Sequence, residues 1–120
     1  MIENIDGVFQ VEIDDVLRDV KCNFGVVERL ERNIFKRPIV SVLNEALNEN
    51  IYFSEVVDTL SLALKANGDT RLSRDELGES VRKRGLIHYY AWYISFLTYA
   101  ITGGQELETE EVEDSKKKLS

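Results

Sequence analysis

The chain is poor in the residues that build reactive sites. Its 120 residues include one cysteine, Cys22, one histidine, His88, and one proline, Pro38. A lone cysteine makes no internal disulfide, so nothing points to an oxidising compartment. A lone histidine excludes a multi-histidine metal centre. Neither a glycine-rich phosphate loop nor a nucleophile elbow occurs. Positive charge is also scarce: 15 Lys and Arg against 22 Asp and Glu give a net charge of −7. Residues 105–120, "QELETEEVEDSKKKLS", carry −3 of that, and no basic stripe remains elsewhere. Nucleic acid is therefore not expected as a direct partner. The opening "MIENIDGVFQ" has neither the basic start nor the apolar run of a signal peptide, so an intracellular protein is expected.

What is present fits one soluble domain. Hydrophobic residues make up 43% of the chain and charged residues 31%. A chain of this length buries about 65% of its unfolded surface without needing disulfides or metal. "VFQVEID" alternates, with Phe9, Val11 and Ile13 on one side, which is the period of a half-buried strand. Asp14 and Asp15 suit a turn, and Val20 and Cys22 continue one face beyond it. A hairpin over residues 8–22 follows, needing helices over its apolar side.

The remainder reads as helix. Asn23 is a good N-cap, with Phe24, Val27, Leu30 and Ile34 at helical spacing behind it. Pro38 fits the first turn of the next helix, on which Ile39, Val42, Leu43, Ala46 and Leu47 form a stripe. Ser54 is expected to cap a third helix that Gly68 ends. "SRDE" at 73–76 is a capping box, and the helix it opens stops at Gly85. The predicted fold is mainly α with a small N-terminal β-hairpin (α+β), a compact bundle of about five helices. Residues 1–104 form the domain, and 105–120 a mobile charged tail.

The segment that decides most is "LIHYYAWYISFLTYAIT", residues 86–102, with six aromatics between Tyr89 and Tyr99. On a helical wheel His88, Ala91, Ser95, Thr98 and Thr102 share one narrow polar arc. Tyr89, Trp92, Phe96 and Tyr99 make one apolar face; Leu86, Tyr90, Tyr93 and Leu97 make another. A bilayer span needs about 20 strongly apolar residues, more than this tyrosine-rich run supplies, so no membrane insertion is expected. Six aromatics represent on the order of 1,000 Å² of surface, more than soluble proteins leave open, so protein must cover it. One reading is a central core helix. The other shares the helix between its own domain and a partner, with Tyr89, Trp92, Phe96 and Tyr99 as the contact face.

Possible chemistry elsewhere is weak. Aligning "KANGDTRLSRDE" with a calcium loop puts Lys65 at the first ligand position and Thr70 where glycine is required. Glu28 and Glu31 alternate with Arg29 and Arg32, the pattern of a solvated charged face. No third group accompanies Cys22 and His88 as a catalytic pair. The chain does not read as an enzyme, and no cofactor or metal is expected.

Two motifs carry a resemblance. "F…LE…PI…L" is here Phe24, Leu30, Glu31, Pro38, Ile39 and Leu43; "LS.DELGE.I…G" is here Leu72, Ser73, Asp75 to Glu79, Val81 and Gly85. With the preceding hairpin and the final apolar helix, the chain resembles, over roughly residues 8–104, tail assembly chaperones of long-tailed phages, particularly the gene-transfer-agent type. The density of aromatics in the last helix departs from that pattern. The resemblance implies a non-enzymatic cytoplasmic protein of the host cell stage, absent from the mature virion. It implies binding to the tape measure protein, with the tail tube protein as a further contact, and self-association into a homo-oligomer. The alternatives are a small acidic phage-encoded regulator or host-factor inhibitor, and a membrane-associated protein.

Overall fold

A computed structural model describes residues 7–104. The expected charged tail, 105–120, lies outside them. Two antiparallel strands, β1 (Val8–Ile13) and β2 (Val16–Lys21), pair with Phe9 opposite Val20 and Ile13 opposite Val16. Five helices follow: α1 (Phe24–Arg29), α2 (Ile39–Leu47), α3 (Phe53–Ala66), α4 (Arg74–Arg84) and α5 (Tyr90–Thr102). This is the α+β arrangement the periodicities predict.

The hairpin turn is two residues long, and both Asp14 and Asp15 have positive φ, 55° and 67°. That backbone follows the twist of the flanking strands but costs a non-glycine residue energy. Ties to the helices offset the cost. Ser80 of α4 donates to the Asp14 carboxylate at 2.7 Å, and the Tyr89 hydroxyl donates to the Glu12 carbonyl at 3.0 Å. At the open end, Gly7 (φ 77°) accepts from the Cys22 N–H at 2.8 Å. A Cβ on Gly7 would lie 2.7 Å from the Cys22 carbonyl, so only glycine fits.

Local signals place several helix ends. The Asn23 side chain accepts from the Val26 N–H at 2.9 Å. Ser73 and Glu76 complete the capping box in both directions. Gly68 (φ 81°) closes α3, with its N–H bonded to the Lys65 carbonyl and the Asp69 N–H to the Leu64 carbonyl.

Five expectations need correction. The stripe Phe24, Val27, Leu30, Ile34 faces inward only in part: Leu30 is buried and Val27 and Ile34 pack half-buried against the core, but Phe24 is exposed. The rod widens into a π-helical turn at Leu30–Phe35, so Phe35, five residues after Leu30, is fully buried in place of Ile34. Pro38 stands at the N-cap of α2, one position before its first turn, and the Glu31 carboxylate accepts the Ile39 N–H at 2.8 Å. Glu31 is thus a capping group rather than part of a solvated face. Helix α3 starts at Phe53 with Tyr52 at the cap position, so Ser54 lies inside its first turn. Leu47 leaves the inner stripe of α2 and is exposed.

One hydrophobic cluster unites both layers. Phe9, Val11, Ile13, Val20 and Cys22 supply the hairpin side, and α3, α4 and α5 cover it. The hairpin thereby gains the support that two strands alone lack.

Candidate partner-binding surface

Helix α5 is preceded by a 3₁₀ turn, Leu86–Tyr89, and ended by Gly103. Its outward arc is the polar one the wheel predicts: His88, Ala91 and Thr98 are exposed, Ser95 and Thr102 half-buried. Both apolar faces turn inward. Trp92 is 5% exposed and Phe96 0%. Phe96 lies 5.0 Å from Trp92 and 5.6 Å from Phe9, ring centre to ring centre. Tyr89 is buried, and Tyr99, half-buried, sets its edge against Phe9 at 5.1 Å. On the other side Tyr93 and Leu97 are buried, and the Tyr90 hydroxyl donates to the Ala46 carbonyl of α2 at 2.6 Å.

The expected contact face Tyr89, Trp92, Phe96, Tyr99 is therefore not a free surface. The hairpin supplies Phe9 as the cover that the sequence reading assigned to a partner. Only Tyr99 keeps part of its ring in solvent. This packing leaves two polar atoms of α5, Trp92 Nε1 and Tyr93 Oη, buried without hydrogen-bond partners. Thr59 stands near the Tyr93 hydroxyl but donates its own proton to the Glu55 carbonyl at 2.7 Å. Burial, reinforced by the Glu55 charge, holds the Tyr93 hydroxyl protonated far above the usual phenol range.

Apolar surface lies instead on α2. Six of the nine residues in "IVSVLNEAL" are apolar, more than one face can bury. Ile39, Val42 and Ala46 enter the core. Val40 (50% exposed) and Leu47 (56% exposed), with half-buried Leu43 between them, run along the outside at i, i+3, i+7. That spacing is how one helix presents a seam to another. The excess of apolar residues in so short a helix was the sequence signal for this ridge. Phe24, Leu17 and Ile87 are also exposed, but singly exposed apolar residues are ordinary.

A charged cluster braces the ridge from behind. Arg37 binds Glu45 of α2 at 2.7 Å and Glu55 of α3 at 2.8 Å, and donates to the Phe35 carbonyl at 2.9 Å. Its guanidinium also lies 5.5 Å from the Tyr52 ring centre. Hydrogen bonds that Arg37 donates to Glu55 and then to Glu45 raise its pKa further above neutrality, so the charge is permanent. Sequence spacing could not reveal this cluster, because its members come from three elements.

The remaining candidates separate in space. Cys22 sits at the open end of the hairpin and His88 near the turn end, where it lies 3.5 Å from Glu12. About 15 Å of strand divides them at 3.3 Å per residue, so they form no Cys–His pair. Burial pushes the Cys22 thiol up to about 11, the opposite of an activated nucleophile. Glu28 pairs with Arg32 at 3.9 Å. Glu76 is held by the Ser73 N–H. Among the described residues no group of three His, Cys, Asp or Glu is placed to hold a metal ion, and no helix is long and apolar enough to cross a membrane. No protein-family model matches this chain, nor does any curated protein or solved structure.

Proposed function

We propose that the protein is a non-enzymatic tail assembly chaperone that binds the tape measure protein and keeps it soluble while a phage tail is built. The observation that carries this reading is the external ridge Val40, Leu43, Leu47 on α2. An amphipathic helix of an apolar partner fits such a seam through side chains at matching i, i+3, i+4 positions. The first of the two motifs that resemble this family bears on the same region. Glu31, Pro38 and Ile39 fix where α2 begins, and Leu43 lies in the ridge itself.

A ridge of three aliphatic side chains gives weak binding on its own. Many copies along one extended partner compensate through high local concentration, and each can still leave when the tube polymerises. Self-association, the tail tube protein as a further contact and the host cytoplasm as the place of action belong to the same proposal. Co-expression with tape measure fragments tests it. The proposal expects fragments that are insoluble alone to become soluble in a complex with this chain, and fragments that stay insoluble would count against it.

A further inference from the structure

The hairpin leaves one of its two strand edges open. Its two-residue turn makes Ile13 and Val16 a hydrogen-bonded pair, and the pattern alternates from there. The Cys22 N–H on the Gly7 carbonyl at 2.8 Å belongs to the same series at the other end. The backbone groups of Leu17, Asp19 and Lys21 therefore point away from β1, and among the described residues no other backbone group bonds to them. The corresponding edge of β1 is closed near the turn, where the Tyr89 hydroxyl takes the Glu12 carbonyl. A groove of about 450 Å³ runs beside β2, walled by Leu17, Arg18 and Asp19 on one side and by the loop 67–71 on the other. Residues from both faces of the strand line it, so it follows the strand's edge. An open edge is a template for a further strand.

This edge is complementary to a second copy of itself. A two-fold axis normal to the sheet keeps the helices of both copies on one side and pairs β2 with β2 antiparallel. Centred on Arg18, Asp19 or Lys21, the axis sets a charge against its own copy; centred on Leu17, it sets Asp19 against Asp15 of the second copy. Like charges directly opposite destabilise a sheet. Centred on Val20, it sets Asp19 opposite Lys21 of the second copy, and Lys21 opposite Asp19 of the second copy. Each pair then exchanges two backbone hydrogen bonds, because both residues point their amide and carbonyl groups outward. Neither Asp19 nor Lys21 has an ion-pair partner among the described residues. The same register brings Phe24, 75% exposed just beyond β2, beside Val16 and Leu17, 47% and 65% exposed at its start. On a single copy these side chains stand at opposite ends of the strand.

We propose that two copies of this chain pair through their β2 edges, centred on Val20, into one four-stranded antiparallel sheet of order β1-β2-β2-β1. Asp19–Lys21 pairs fix the register on the outer face, and Phe24 of each copy covers Val16 and Leu17 of the other. The pairing gives a surface to the self-association included in the proposed function, yet it stands on the strand edge alone: it can fail while the α2 ridge holds, and the reverse. It uses neither ridge, so one dimer offers two of them to an extended partner.

Charge variants of the full chain test it, read by sedimentation equilibrium and amide exchange. In the wild type the Asp19 and Lys21 amides should gain protection as concentration rises from micromolar to millimolar, while the Val20 amide, bonded to β1, is protected throughout. Asp19→Lys alone, or Lys21→Asp alone, sets like charges opposite each other twice across the axis and should weaken self-association on the order of tenfold. Mixed one to one, the two variants should associate with each other about as tightly as the wild type does with itself, because every Lys then faces an Asp. Asp19 is exposed and Lys21 half-buried, so both variants should melt near wild type; if either does not fold, amide exchange of the wild type still decides. Val40→Asp, Leu47→Asp should leave self-association unchanged. The proposal is overturned by a chain that stays monomeric at millimolar concentration, by Asp19 and Lys21 amides whose exchange ignores concentration, by single variants that associate like wild type, by a mixture that restores nothing, or by loss of the dimer in the α2 variant.

Discussion

Trp92 and Phe96 lie one helical turn apart in α5 with ring centres 5.0 Å apart, and Phe96 in turn meets Phe9 of the hairpin. This chain of rings joins the two layers of the fold. Trp92→Ala opens a large cavity there and is expected to cost about 3–5 kcal/mol of unfolding free energy in a urea titration. Trp92→Phe should cost far less, because the indole N–H it removes has no partner. A loss below about 1 kcal/mol for Trp92→Ala would return these residues to the role of a partner surface.

Arg37 holds two carboxylates from two helices, one of them, Glu55, with its side chain 10% exposed. Removing the cation leaves that carboxylate buried without a counter-charge. Arg37→Leu is expected to destabilise the protein by about 2–4 kcal/mol, and adding Glu55→Gln should restore part of the loss. Additive losses in the double variant would show that the cluster is not coupled.

Asp69 is the group from which acid sensitivity is expected. Arg71's hydrogen bonds, with Arg18 adding to them at 2.8 Å, hold its carboxyl well below the usual carboxylate range. A depressed folded-state pKa contributes stability that is complete above the unfolded value, about 3.9, and drains away as pH falls towards the folded value. Wild-type stability should therefore drop more steeply below pH of about 4 than that of Asp69→Asn. Parallel pH profiles in equilibrium denaturation would contradict this.

Features set by neighbouring residues were legible in the sequence. The Asn23 cap, the Ser73–Glu76 box, the Gly68 and Gly85 stops and the outward arc of α5 each depend on a few consecutive positions. Features set by distant residues were not. The wheel identified two apolar faces on α5, but nothing local to residues 86–102 could say that Phe9 covers one of them. The π-helical turn at Leu30 rotates the following residues out of a 3.6-residue period, so a stripe drawn at that period named Ile34 where Phe35 takes the fully buried position. Glu31 read as one of several surface charges because its target, the Ile39 N–H, lies eight residues on. Leu47 fitted the inner stripe by spacing; its exposure follows from how far the core extends along α2, which is a tertiary property.

The α2 ridge bears the whole functional reading, and its most direct test is the soluble yield of a tape measure fragment co-expressed with Val40→Asp, Leu47→Asp. Both positions are open to solvent, so the double variant should keep a melting temperature near wild type, as surface substitutions generally do. The account predicts that it stays folded yet no longer carries the fragment into the soluble fraction. A folded double variant that solubilises the fragment as well as wild type does would contradict it.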